Sequence, residues 1–293
     1  MHALLIVNPA SGQGKAAREK RKLLDLVSNM PHIHSELTTG PGDAVRLAEQ
    51  AAKQGYDLVI AAGGDGTINQ VINGLGGADV PLGIIPLGTG NVLAHELGIP
   101  SHNIVKALRV IQRRRIRQVD LGTANGTRFL LMAGLGLDAH VIDAVSPKFK
   151  DVFGTMAYAP AAIEQLLKYA PSRLHLTFDN GSEYSATAYG VVVANCGSYA
   201  YNFKISPEAV FDDGLLDVMV FETTPAKKLR LLGQALGAVF QQRITDPNVT
   251  YFKTSKLRIE SDPPVKMQLD GDVCGQGGVE IRVLPKALKL VVP

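Results

Sequence analysis

The sequence predicts an α/β domain with a doubly wound parallel sheet, followed by a second domain of mainly antiparallel β structure. Three observations predict it. Through about residue 120, short apolar runs alternate with helical patterns, which calls for parallel strands joined by crossover helices. Three of those apolar runs end in loops rich in Gly, Ser, Thr or Asn, where the strand ends of an open α/β sheet carry function. Beyond residue 120 the pattern changes to strand-like runs with hairpin signals at Ala124-Asn125-Gly126 and Asp179-Asn180-Gly181.

In order, Ala3–Val7 reads as a first strand: the apolar run is too short for a signal-peptide core and has no basic region in front of it. Helical patterns follow over Lys15–Ser28 and 43–54, with a short strand candidate ending at Leu37. Residues 58–62 are a strand candidate, 67–75 a helix, 82–85 a strand and 104–112 a helix. In the second part, 127–133, Ser172–Phe178, Glu183–Ala194, 215–221, 250–259, 265–269 and 279–283 read as strands, interrupted by helical inserts at 155–169 and 225–241. Domain limits of 1–120 and 121–293 follow, with the last residues returning to the first domain.

With 293 residues, 46% of them hydrophobic, the chain can fill two cores. Its two cysteines, Cys196 and Cys274, cannot make a disulfide framework or a four-cysteine metal site, so a reducing cytoplasm is expected. No run approaches the roughly 20 apolar residues that span a bilayer, so a soluble or peripheral protein with no transmembrane segment is expected. A net charge of +3 and the absence of Trp argue against nucleic acid as a partner. One basic cluster, Arg113-Arg114-Arg115-Ile116-Arg117, answers the negative end of the preceding helix or meets an anionic membrane.

The chemistry concentrates in the loops. Gly63-Gly64-Asp65-Gly66-Thr67 directly follows an apolar strand candidate. Its glycines leave backbone N–H groups open to a polyphosphate, and Asp65 can hold the accompanying cation. The same stretch also suits a plain strand-to-helix turn. Asn8-Pro9-Ala10-Ser11-Gly12-Gln13-Gly14-Lys15 and Pro86-Leu87-Gly88-Thr89-Gly90-Asn91 end two further strands, and a doubly wound sheet gathers all three loops at one edge. The first loop lacks the Gly-Lys-Ser/Thr ending of a P-loop, and no G-x-G-x-x-G dinucleotide fingerprint is present.

Taken in order, the segments 8–14, 63–69, 86–91, 212–217 (Asp-Asp-Gly-Leu-Leu-Asp) and Leu269-Asp270-Gly271 resemble the diacylglycerol kinase catalytic-domain family, and within it the bacterial lipid kinases related to sphingosine and ceramide kinases. The likeness covers nearly the whole chain. It implies an NAD kinase- and phosphofructokinase-like first domain, a β-sandwich-like second domain, and transfer of phosphate from ATP, with Mg²⁺, to a lipid hydroxyl in the cleft between them. The lipid would be met at a membrane surface from the cytoplasm; a homodimer stays open.

By match to the family, Asn8, Pro9, Ala10, Ser11, Gly12, Thr38, Gly63, Gly64, Asp65, Gly66, Thr67, Asn69, Gln70, Gly88, Thr89 and Asn91 would line the nucleotide. The general base, a glutamate in the family's Asp-Gly-Glu motif, falls on Asp272, one methylene shorter, with Asp270 able to share the role. Asp213 and the carbonyls of Val210 and Leu215 would hold a structural magnesium, whose oxygen-only donors suit that ion. Gln70 departs from the family's usual Glu. Residues 133–138 and 153–160 form a lipid groove or simply core. Two other readings remain at this point: a soluble-substrate kinase of the NAD kinase type, and a nucleotide sensor without catalysis.

Overall fold

The computed structural model describes residues 2–12, 15–101, 103–144, 164–165, 168–200, 203–223 and 249–293. The second expected helical insert, at 225–241, lies outside them, as do most of the insert at 155–169, the 153–160 stretch and the end of the first loop at 13–14. The chain divides into two compact units, one of Met1–Val119 with Lys286–Pro293, the other of Asp120–Pro285.

The first unit runs β1 (Ala3–Val7), α1 (Lys15–Ser28), β2 (Ile33–Leu37), α2 (Asp43–Lys53), β3 (Leu58–Gly63), α3 (Asp65–Leu75), β4 (Leu82–Pro86), α4 (Val92–Glu96) and α5 (Ile104–Arg113), and then enters β5 (Arg115–Ala124). Its strands β4, β3, β1 and β2 lie in that order and are all parallel. The order reverses at β1, because the chain crosses from β2 on one side of it to β3 on the other. Such a reversal opens a crevice at the strands' C-terminal ends. Leu5, Leu58, Ile60 and Ile85 are fully buried in the core beneath α1 and α5. Each such side chain contributes about 1.5–3 kcal/mol by leaving water.

The second unit continues with β6 (Thr127–Phe129), β7 (Met132–Gly136), α6 (Leu137–Ala144), β8 (Ser172–Phe178), β9 (Glu183–Ala194), β10 (Ser198–Ala200), β11 (Phe203–Lys204), β12 (Leu216–Glu222), β13 (Val249–Thr254), β14 (Lys256–Asp262), β15 (Lys266–Leu269), β16 (Asp272–Gln276) and β17 (Val279–Val292). Its strand pairs are antiparallel. β9 is the pivot: residues 183–188 pair with β8, and residues 190–194 lie between β7 and β12. That fork surrounds a core containing Phe129, Leu174, Val191, Val218 and Ile281.

Three strand expectations change. The run 127–133 breaks at Leu130–Leu131, whose amides turn to the Asp270 carboxylate. The run 250–259 breaks at Ser255, which donates to Asp179 instead of extending a ladder. The strand expected over 279–283 runs on to Val292 despite Pro285, and its last residues join the first unit, with Leu290 opposite Leu82.

Candidate active site

In the first unit the loops after β1, β3 and β4 are cross-braced by their own side chains. Asn8 Nδ2 donates to Thr67 Oγ1 at 2.9 Å, and Asn8 Oδ1 accepts from Ala10 N at 2.9 Å, a tight Asx turn. Ser11 Oγ lies 3.4 Å from the same Thr67 hydroxyl, which belongs to a residue only 5% exposed. Thr67, on the first turn of α3, thus ties the first loop to the second.

Asp65 ties the second loop to the third. Its Oδ2 accepts from Val92 N at 3.1 Å and its Oδ1 from Leu93 N at 3.2 Å, where the carboxylate also answers the positive end of α4. Beside it, Gly64 and Gly88 meet backbone to backbone: a Cβ on Gly88 would stand 2.5 Å from the Gly64 Cα. Asn91, 2% exposed at φ 46°, closes the third loop on itself by accepting from Gly88 N at 2.9 Å and donating to Gly88 O at 2.7 Å. The left-handed backbone suits Asn, whose short side chain bonds locally.

This framework aims the start of α3 into the crevice. Its first helical bond runs from Ile68 N to Gly64 O, so the N–H groups of Asp65, Gly66 and Thr67 precede the helix's own ladder. A helix N-terminus of this kind binds phosphate. Thr38, 8% exposed, directly follows β2 at the same sheet edge and donates its N–H to Val7 O. Thr89, Pro9 and Ala10 are exposed, and Gly12 and Gln70 half-buried. Asn69 Oδ1 accepts from Asn73 one turn along the helix.

Lys20 is a site residue that the motifs do not mark. From α1 its ammonium donates to Ser11 O at 2.9 Å and to Pro9 O, and burial lowers its pKa from the ordinary lysine value. It sets a positive charge behind the first loop and orders that loop's carbonyls. The signal was present: Lys20 shares a helical stripe with Leu23 and Val27, both buried.

In the second unit, β15 and β16 form a hairpin whose two-residue turn is Asp270-Gly271, with Leu269 opposite Asp272. Both turn residues have positive φ, 48° and 89°, the geometry that favours Asp-Gly. Asp270 Oδ1 accepts from Leu131 N at 2.8 Å and Met132 N at 2.9 Å, and Oδ2 accepts from Leu130 N at 2.7 Å. These three backbone donors make Asp270 the anchor that ties the turn to residues 130–132. Asp272, the next acidic residue, is exposed at the first position of β16.

The expected magnesium ligands sit in the loop before β12. Asp213 Oδ1 accepts from Leu215 N at 3.0 Å, and its Oδ2 faces the Lys253 ammonium at 3.4 Å. Lys253 also lies 3.5 Å from Asp217 Oδ1 and donates to Glu208 O at 3.3 Å. Asp217 is 1% exposed; burial pushes its carboxyl above the ordinary range, and Lys253 opposes that rise. Oxygen donors suit Mg²⁺, and as folded the cation beside this carboxylate is Lys253. Among the described residues no cluster of three or more His, Cys, Asp or Glu side chains is arranged for a metal.

Residues 2–124 match the diacylglycerol kinase catalytic domain, and residues 132–292 match the YegS C-terminal NAD kinase beta sandwich-like domain. A diacylglycerol kinase of Bacillus subtilis is 31% identical over 99% of this chain and 96% of its own length. A diacylglycerol kinase of Staphylococcus haemolyticus is 31% identical over 99% of this chain and 88% of its own. Among solved structures, a diacylglycerol kinase from Bacillus anthracis superposes with a TM-score of 0.80 at 28% identity, covering 100% of this chain and 97% of that one. Yeast NADH kinase superposes with a TM-score of 0.56 at 13% identity, covering 100% of this chain and 84% of that one, a likeness of fold alone. The α/β domain followed by a β-sandwich domain, expected from the sequence, agrees with these matches.

Proposed function

This chain belongs to the diacylglycerol kinase catalytic-domain family, and from that membership we propose that it is an ATP- and Mg²⁺-dependent lipid kinase. It moves the γ-phosphate of ATP to the hydroxyl of a diacylglycerol-like lipid. The observation that carries this reading is the cross-bracing of three phosphate-type loops through Thr67, Asp65 and the Gly64–Gly88 contact.

Phosphoryl transfer asks mainly for positioning and charge stabilisation. The N–H groups at the start of α3 and the loops held by Asn8, Ser11 and Asn91 grip the phosphates, with Lys20 behind them. Asp65 keeps the second and third loops in register and adds negative charge near the Mg²⁺ that arrives with ATP and offsets the phosphate charge. Asp272 takes the proton of the lipid hydroxyl as that oxygen bonds to the γ-phosphorus; the bond from the γ-phosphorus to the bridging oxygen breaks, and ADP leaves. Asp270 holds the turn beneath Asp272.

No helix among the described residues is long and apolar enough to cross a membrane, and in this reading the enzyme works peripherally, from the cytoplasm, on lipid held in a bilayer. The test is mass-spectrometric identification of the species that gains phosphate when pure protein meets a total lipid extract, NAD, ATP and Mg²⁺. A phosphorylated lipid is expected; phosphorylated NAD, or nucleotide binding with no product, would overturn the reading.

Two further outcomes follow from the geometry. Lys20→Met removes the donor to two loop carbonyls, so the KM for ATP should rise about tenfold, the equivalent of about 1.4 kcal/mol, with kcat changing less. Steady-state kinetics at fixed lipid check it. Because Lys253 already neutralises Asp213, stripping divalent ions with EDTA from the nucleotide-free protein should leave Tm within about 1 °C, where loss of a stabilising ligand would lower it. Differential scanning calorimetry decides between the two.

A further inference from the structure

We propose that Gln268 is a positioning residue for Asp272, acting through a fixed amide bridge between Asp138 and the backbone of Gly271; this rests on the reading of Asp272 as the proton acceptor. Gln268 is 1% exposed, in the middle of β15. Its Nε2 donates to Asp138 Oδ2 at 2.7 Å, and its Oε1 accepts from Gly271 N at 2.8 Å. Gly271 immediately precedes Asp272.

The two ends of the amide face partners of opposite polarity, so its orientation is fixed. A flip would set NH₂ against N–H and C=O against a carboxylate. A buried amide is costly unless paired, and a leucine would fill the same space without that cost. The neighbouring strand makes room for the bridge. Gly134 of β7 lies opposite Gln268 in the ladder, and a Cβ there would come 1.7 Å from Asp138 Oδ2 and 2.7 Å from Gln268 Nε2. Asp138 stands in the first turn of α6, where its charge meets the helix's positive end.

The Asp-Gly turn is therefore held on both residues, Asp270 by the amides of 130–132 and Gly271 by Gln268. Two attachments from different elements fix the direction in which the following residue leaves the turn. Asp272 is exposed and its aspartate arm is short, so the backbone must supply the precision that a longer side chain could find for itself.

Gln268→Glu keeps the shape and the acceptor for Gly271 but sets a second carboxylate against Asp138, where the two can share one proton only as pH falls. Among the described residues, the other titratable groups on the elements packed here are His140 and Asp143 of α6, Tyr169 against the His140 ring, Lys266 of β15 paired with Asp143, Tyr189 of β9, Asp270 in the turn, and Asp272 and Cys274 of β16. At pH 8.5 the variant's kcat should fall about a hundredfold, as for an acceptor misplaced by an ångström, with the KM for ATP unchanged. Relative to the parent at each pH, much of that loss should return by pH 6.

Adding Asp138→Asn supplies an NH₂ donor to the new carboxylate and should bring kcat at pH 8.5 back to within about threefold of the parent. A Gln268→Glu enzyme with parental kcat at pH 8.5, or a double variant no better than the single, would overturn the proposal. If the single variant does not fold, the double variant decides: near-parental kcat supports the bridge, and a persistent hundredfold loss refutes it. Hydrogen exchange at the Gly271 amide, expected to be faster in Gln268→Leu, reads the bridge without turnover. Parental exchange there would count against it, and an active Asp272→Asn would instead indict the role given to Asp272.

Discussion

Asp272→Asn should lower kcat at least a hundredfold, the usual worth of a positioned general base, while the KM for ATP stays within about threefold. The side chain is exposed at the start of β16, so Tm should move by no more than about 1 °C, in keeping with a surface change. Asp272→Glu tests reach. It restores the length of the family's usual base, and activity should be retained if the carboxylate itself takes the proton. Asp270→Ala makes the contrast: three backbone donors lose their acceptor, and the expected result is a stability loss of about 2–4 kcal/mol with kcat falling as a consequence. Kinetics and thermal melts on the three variants separate a group that reacts from one that holds. Full activity in Asp272→Asn would remove the base from this residue.

Asp65→Asn should reduce turnover to below about 1% of the parent while the fold survives, because the electrostatic grip on phosphate is the larger share of such catalysis. An asparagine has one acceptor where the carboxylate has two, so it can satisfy only one of the Val92 and Leu93 amides. Its NH₂ group then meets the other amide donor to donor, and the third loop shifts away from the second. Tm should fall by a few degrees, about 1–2 kcal/mol for one unpaired donor. Titration calorimetry with ADP should show weakened binding, which separates loop displacement from a purely chemical defect. Equal phosphorylation of lipid by variant and parent would show that neither charge nor register at Asp65 matters.

The elements of the first unit were largely legible. Ala3–Val7 and Lys15–Ser28 carry bounds set by apolar runs and helical spacing, and these signals are local. The gathering of three loops was also readable, since parallel strands joined by crossovers place their C-terminal ends on one edge. What the motifs did not reveal is which side chains brace those loops. Asp65 reads as a cation holder, yet its oxygens also accept amides 27 and 28 residues away, a contact that no spacing rule encodes. Lys20 left a faint trace as a lysine on an apolar stripe, and Gln268 left none, because a lone glutamine in a strand gives no sign of what will face its two ends.

The amino-acid order is enough to read the alternation of strand and helix and the glycine turns able to approach phosphate, because these follow from periodicity or from residues close together along the chain; the family resemblance rests instead on five motifs that recur in order from residue 8 to residue 271. The folded structure is what shows that Asp270 anchors while Asp272 is left exposed, that Lys253 faces Asp213, and that one strand, β17, runs unbroken through Pro285. Those outcomes depend on which distant donors and charges arrive within about 3 Å of a given oxygen. Such meetings are set by packing, and packing is a property of the folded chain.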